Sequence, residues 1–152
     1  MNTLPSPWRA AAAVLVIVLA GGCSEAVAGP DETPAEDVVL RVVLGDAVVA
    51  DWTLDELSDS VAFVEMTIDG DLQSGPLLLD VLEASGVEVW SGAQVVGFGE
   101  GRVFEVGLDI DAADVDDGWI LDVNNRGKLK LASASLPRSQ WVRDVGEINV
   151  AP

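Results

Sequence analysis

The stretch that most constrains this fold is residues 74–89, SGPLLLDVLEASGVEV. Pro76 suits a first helical position, where its missing N–H costs nothing, after Ser74 or Gly75 as the cap. Gly86 suits the left-handed residue that ends many helices. The apolar residues between them form one stripe: Leu77, Leu78, Leu79, Val81 and Leu82. A helix of about ten residues is unstable alone. The stretch therefore predicts a helix whose apolar stripe packs on neighbouring strands.

Short apolar segments on both sides of this helix predict strands. Gly45-Asp46 is a two-residue loop typical of a β-hairpin. Thr53 and Glu56 form a capping box, which predicts a short helix with Leu54 and Leu57 facing inward. Residues 61–68 alternate as a half-buried strand that ends at residues 69–71, directly before the central helix, and residues 147–150 form a short closing strand. Four tryptophans beside element ends are predicted to lie in the core: Trp52, Trp90, Trp119 and Trp141. The sequence predicts seven or eight strands and two or three short helices, an α+β fold with a mixed, mainly antiparallel sheet.

The first 22 residues predict a signal peptide rather than part of the fold. Arg9 precedes an apolar run, residues 10–20, that is too short to anchor the chain across a bilayer. The run ends in GGC, which resembles a bacterial lipoprotein signal with Cys23 as the lipidated residue; an ordinary secretory peptide is the alternative. We expect a signal peptide at 1–22, lipidated Cys23 and a disordered acidic tether at 23–37, and one domain at 38–150. The protein would then be lipid-anchored on the extracytoplasmic face of a bacterial cell membrane.

The chemistry open to this chain is narrow. It contains no histidine, which excludes imidazole bases and histidine-ligated metals. Cys23 is the only cysteine, so no disulfide can form within the chain. All 26 acidic residues follow Cys23, against seven basic ones, the eight of the chain less Arg9. This balance argues against a nucleic-acid partner, because the electrostatic contribution to binding would be repulsive.

Two charged groups are candidate sites. The first holds most of the basic residues: Arg126, Lys128, Lys130, Arg138 and Arg143. It is where an acidic protein could hold a small anion or an acidic partner, although Lys128 and Lys130 also fit a solvent-facing strand edge. The second group comprises five aspartates: Asp109, Asp111, Asp114, Asp116 and Asp117. It lacks the EF-hand pattern, so an irregular calcium site and a solvated turn both remain open. The glycine-rich residues 97–102 fail the dinucleotide pattern and predict a hairpin.

The motifs, taken in order, resemble the molybdopterin-binding domain of the sulfite-oxidase family. TLDEL at 53–57 is followed by SGPLLLDVLEASGV at 74–87, NNRGKL at 124–129 and PRSQWVRDVGEINV at 137–150. The resemblance covers residues 53–150, nearly the whole predicted domain. It implies the α+β fold of that family, and in its catalytic members a molybdenum ion held by a cysteine thiolate just after the strand that precedes the central helix.

This chain departs from the family at that position. Residues 66–70 read MTIDG and contain no cysteine, and the histidines of the family pocket are missing throughout. The asparagine-glycine turn is interrupted by Arg126. We therefore expect a non-catalytic binding or accessory module without cofactor or bound metal. The alternative is an oxidoreductase that binds molybdopterin without a cysteine ligand, or carboxylate chemistry through Asp69, Asp71 or the aspartates of residues 109–117.

Overall fold

A computed structural model of the protein describes residues 37–98 and 105–152. The predicted signal peptide, Cys23, the predicted tether up to residue 36, and residues 99–104, which include most of the predicted glycine-rich hairpin, lie outside the described residues. The strands are β1 (Val38–Leu44), β2 (Ala47–Thr53), β3 (Phe63–Ile68), β4 (Asp71–Pro76), β5 (Gly92–Phe98), β6 (Glu105–Asp111), β7 (Trp119–Val123), β8 (Leu129–Ser133) and β9 (Val142–Ala151). The helices are α1 (Leu54–Ser60) and α2 (Leu78–Ala84), with 3-10 turns at Ala112–Asp114 and Arg138–Gln140.

Seven of these strands form one mixed sheet, and β3 and β4 form a separate hairpin. The large sheet runs β2-β1-β9-β5-β6, and β8 joins β7 to β9. Only the β1–β9 pair is parallel; all other pairs are antiparallel. The predicted α+β class with a mixed, mainly antiparallel sheet agrees with this arrangement, which is mostly β with two short helices. No helix within the described residues is long and apolar enough to cross a membrane.

Strand β9 corrects the predicted short closing strand at 147–150. It is ten residues long and pairs with β1, β5 and β8. A β-bulge at Asp144, which has a positive φ of 50°, shifts its register against β8, and a second shift, against β5, falls at Gly146. The buried valines at the bulge, Val142 and Val145, are therefore three residues apart instead of two. This break in alternation hides the continuity of the strand.

The start of the central helix was also predicted wrongly. Pro76 ends strand β4 and pairs with Phe63, while α2 begins at Leu78 after Leu77, which makes no side-chain capping bond. The strand exists because Asp69 and Gly70, with φ of 51° and 84°, form a tight two-residue turn that folds the chain back on β3. The end of the helix is confirmed, since Gly86 has a φ of 82° and donates its N–H to Glu83.

The main hydrophobic core lies between the two helices and the large sheet. Leu57 of α1 and the apolar stripe of α2 are fully buried: Leu78, Val81 and Leu82. On the sheet, Leu40, Val95 and Ile148 pack in the same cluster. This packing stabilises helices that are too short to persist alone.

A second, smaller core lies under the β3–β4 hairpin. Ile120 of β7 and Ala132 of β8 face the hairpin, and Ile68 of β3 packs on them. Val64 and Met66 of β3 cover the same cluster, which agrees with the half-buried strand predicted there. Strands β7 and β8 therefore have one apolar face toward the helices and another toward the hairpin.

Helix α1 has the predicted capping box. The Thr53 hydroxyl accepts from the N–H of Glu56, and the Glu56 carboxylate accepts from the Thr53 N–H at 3.0 Å. The Thr53 hydroxyl also donates to the Glu56 carboxylate at 2.9 Å. The hydrogen bond from the Thr53 backbone, and after it the one from the Thr53 hydroxyl, lower the pKa of Glu56. Leu57 faces inward as predicted, whereas Leu54 is only half-buried. Of the tryptophans predicted in the core, Trp119 is buried and the others, Trp52, Trp90 and Trp141, are partly buried against a core cluster.

Candidate functional site

Three of the five predicted cations converge at the junction of β8 and β9. Lys130 and Arg143 are cross-strand partners, so both side chains lie on the same side of the sheet. Arg138 lies in the 3-10 turn that leads into β9. Lys128 precedes β8 by one residue and is exposed. We call these four residues together with Trp141 the basic face. Because β8 pairs with both β7 and β9, the alternative of a strand edge does not hold: Lys130 lies on an interior strand, and Lys128 lies directly before it.

Trp141 is the centre of the basic face. The Arg138 guanidinium carbon lies 5.2 Å from the centre of its ring, and the Lys130 ammonium lies 5.5 Å from it. Both are within the range of a cation–π contact. The indole N–H donates to the carbonyl oxygen of Ser133 at 3.2 Å, which fixes the ring. One half-buried tryptophan thus positions two cations.

Carboxylates already contact two of the four cations. Arg138 donates to the Asp71 carboxylate at 2.6 Å and to the Asp69 carbonyl oxygen at 3.2 Å, and its Nε lies 3.6 Å from the Asp69 carboxylate. Lys130 pairs with Asp122 of β7 at 2.9 Å. Asp122 also accepts from the Ser74 N–H at 2.8 Å, which ties β4 to β7. The tip of the hairpin is therefore attached to the 3-10 turn before β9, and its base is attached to β7.

The other cations differ in their surroundings. Arg126 lies in the β7–β8 turn, 3.9 Å from the Asp144 carboxylate. Lys128 and Arg143 are exposed and form no ion pair with any residue of 37–98 or 105–152. The structure thus brings Lys130, Arg138 and Arg143 to the β8–β9 junction, with Lys128 directly before β8 and Arg126 beside Asp144. Binding of an anion or an acidic partner at these cations stays a prediction.

Three of the five aspartates of residues 109–117 have local structural roles. Asp109 accepts from Gln94 at 3.1 Å on the surface of β5 and β6. Asp111 and Asp116 accept backbone N–H groups two residues ahead, from Ala113 and Gly118, and so shape the turns that follow β6. Within the part of the chain that the structure describes, no three acidic or other ligating side chains group closely enough to hold a metal ion.

The position that the resemblance assigns to the molybdenum ligand is the end of β3 and the hairpin turn. Asp69, the nearest carboxylate substitute, has a left-handed backbone and faces Arg138. A carboxylate is a harder ligand than a thiolate and suits a sulfur-bound metal less well. The Asp69 carboxylate already faces a positive charge of the protein, the Arg138 guanidinium. The residues present at this position therefore do not fit a molybdopterin centre.

A partly buried ion pair between β1 and β2 was not foreseen. Arg41 is only 3% exposed and contacts both carboxylate oxygens of Asp51, at 2.8 and 2.9 Å. A regular hairpin around Gly45-Asp46 would place Ala50 opposite Arg41. A register shift between Val42 and Val43 brings Asp51 there instead, and nothing local in the sequence marks this shift.

An open groove lies beside this ion pair, between β2 and the two helices. Its volume is about 320 Å³, and the Trp52 indole N–H donates to the Ser85 hydroxyl at 3.0 Å in its wall. Its two carboxylates already have partners, since Asp51 binds Arg41 and Glu56 caps α1. The groove therefore offers no unpaired charge to a ligand.

Comparison with known proteins assigns no family to this chain. No protein-family model and no curated protein sequence matches it. What the protein does is therefore inferred from the basic face and the β3–β4 hairpin.

Proposed function

We propose that this protein is a lipid-anchored, extracytoplasmic binding module, a reduced form of the sulfite-oxidase cofactor domain that acts as a non-catalytic accessory. It binds an acidic protein partner or a small anion on the basic face. The observation that carries the proposal is the grouping of four cations at the junction of β8 and β9, two of them over the Trp141 ring, on a chain with a net charge of −18.

Electrostatics favours this face over the rest of the described surface. Arg41 is buried in its own ion pair, so the exposed or half-buried cations of the described residues are confined to the basic face and the adjacent Arg126. A carboxylate that approaches elsewhere meets an acidic surface, which disfavours binding. Arginine guanidinium groups bind carboxylates in a planar, two-pronged geometry. Charge complementarity of this kind determines where an acidic partner docks and in which orientation.

The hairpin supports a non-catalytic role. In catalytic members of the sulfite-oxidase family, the segment that corresponds to the one after β3 supplies the thiolate that holds molybdenum. Here the same segment is a two-residue turn followed at once by a strand, and its carboxylates face Arg138. In an oxidoreductase without the cysteine ligand, Asp69 would have to leave Arg138 in order to bind the metal.

Binding of a synthetic octaglutamate peptide to the full-length protein tests the proposal. We expect calorimetric binding at low ionic strength that weakens as salt screens the charges. The double substitution Lys128→Gln/Arg143→Gln removes two cations that have no ion pair among the described residues, and should weaken binding about fivefold, the effect of two exposed charge pairs. A neutral octaglutamine peptide is the control. Equal binding of both peptides, or no effect of the double substitution, contradicts the proposal.

Membrane attachment should depend on Cys23. Expressed in a bacterium that processes lipoproteins, the native protein should fractionate with membranes. Cys23→Ala should appear in the soluble extracytoplasmic fraction, because lipidation then has no acceptor. Fractionation of cells after a high-salt wash measures the difference. A Cys23→Ala protein that still remains with the membranes contradicts lipid anchoring at this residue.

A further inference from the structure

The basic face is partly occupied by the protein's own carboxylates. Arg138 contacts Asp71 at 2.6 Å and the backbone and side chain of Asp69, and both aspartates belong to the tip of the β3–β4 hairpin. An acidic partner would meet Arg138 in the same way, through a carboxylate. The structure therefore already shows how Arg138 holds the kind of ligand that the proposed function assigns to it.

We propose that the hairpin tip is a built-in competitor: Asp69 and Asp71 occupy Arg138 until the carboxylates of an acidic partner segment displace them. This inference rests on the proposed function and names the partner as a peptide segment rich in aspartate or glutamate. It also assigns a regulatory role to the hairpin, because binding releases the tip from Arg138.

The contacts at the tip are weak enough to be exchanged. Arg138, Asp69 and Asp71 have side chains that are 48%, 55% and 60% exposed. Ion pairs so accessible to water and salt contribute little to stability. An incoming carboxylate replaces one exposed pair with another, so the exchange costs little.

The buried face of the hairpin contains one polar atom without a hydrogen-bond partner among the described residues. Gln73 of β4 is 2% exposed, and its carbonyl oxygen Oε1 has no hydrogen-bond partner among the described residues. It lies on the same hairpin face as its cross-strand partner Met66, which packs in the second core. A buried acceptor without a partner is costly.

The base of the hairpin is held more firmly than its tip. The Ser74 N–H donates to Asp122, Leu77 forms a β-bridge with Ile120, and Gly75 packs directly on the Leu121 backbone. These contacts are backbone-mediated or partly buried, and none of them involves Arg138. The tip can therefore separate from Arg138 while the hairpin stays attached to β7.

The double substitution Asp69→Asn/Asp71→Asn tests the inference in the full-length protein. Asparagine tolerates the left-handed backbone of position 69, so the turn is retained. If the aspartates compete for Arg138, removing their charge should tighten octaglutamate binding about two- to sixfold, the gain from freeing a site closed by an exposed ion pair. Calorimetry at a fixed low ionic strength measures it. Adding Arg138→Gln to the double variant should abolish the gain.

A matched control separates competition from the change in net charge. Asp114→Asn/Asp117→Asn also removes two exposed carboxylates, but from a turn that makes no ion pair with the basic face. If this control tightens binding as much as Asp69→Asn/Asp71→Asn, the hairpin is not a competitor, and the proposed function still stands. If neither the native protein nor the hairpin variant binds the acidic peptide, both the inference and the proposed function are wrong.

Discussion

Replacing Leu82 with alanine should lower the free energy of unfolding by about 2–5 kcal/mol, the range for large-to-small changes in a packed core. Leu82 is 1% exposed, and it packs with Leu78 and Val81 of α2 in the main core. A domain of this size has a total stability of about 5–15 kcal/mol. The variant should therefore show a visibly unfolded fraction in chemical denaturation, and Leu78→Ala should behave alike.

The matched control is Leu72→Ala, because Leu72 is 63% exposed on the outer face of β4. Its effect on stability should stay within about 0.5 kcal/mol. If Leu82→Ala costs less than about 1 kcal/mol, the apolar stripe of α2 does not hold the helix on the sheet, and the description of the core is incorrect.

Gly75→Ala should be the most damaging change in the hairpin. A Cβ atom at this position would overlap the carbonyl oxygen of Leu121 and lie 2.9 Å from its carbonyl carbon. Because both atoms are backbone, β4 must move away from β7. That movement strains the hydrogen bond from Ser74 to Asp122 and the bridge from Leu77 to Ile120. We expect a loss of about 1–3 kcal/mol or more, measured by chemical denaturation.

Gly107→Ala is the matched control for this prediction. Gly107 also lies in a strand, but a Cβ there would meet only the flexible Gln94 side chain, at 3.5 Å. Its substitution should change stability by less than about 1 kcal/mol and could raise it, since alanine reduces the entropy of the unfolded chain. Equal losses for Gly75→Ala and Gly107→Ala would mean that β4 does not approach β7 as closely as described.

Features set by a few neighbouring residues could be predicted from the sequence. The β1–β2 hairpin, the Thr53–Glu56 capping box and the glycine that ends α2 each depend on local backbone preferences. The second strand of the β3–β4 hairpin was missed because Gly75-Pro76 is also typical of a helix start. Gly75 is required there by a contact with Leu121, which is distant in the sequence. Strand β9 was shortened in the prediction because a bulge at Asp144 interrupts its alternation.

The candidate site was predictable in its cations but not in their partners. The five cations lie close together in the sequence, between Arg126 and Arg143. The contact of Arg138 with the hairpin joins residues 67 positions apart, and the hairpin itself had not been predicted. Nor does any local pattern place Asp122 beside both Lys130 and the Ser74 N–H. Ion pairs between separate elements depend on the tertiary fold. The sequence therefore shows the cations, but it does not show that carboxylates pair with Lys130 and Arg138.

The molybdenum content of the purified full-length protein tests most directly the claim that this is a binding module without the family's cofactor. The protein should be produced in a host that synthesises molybdopterin, and metal and pterin should be measured per mole of protein. We predict molybdenum and pterin far below stoichiometric amounts, because residues 66–70 supply no thiolate and Asp69 faces Arg138. Near-stoichiometric molybdenum that is lost on Asp69→Ala would contradict the claim and identify the protein as an oxidoreductase with a carboxylate ligand.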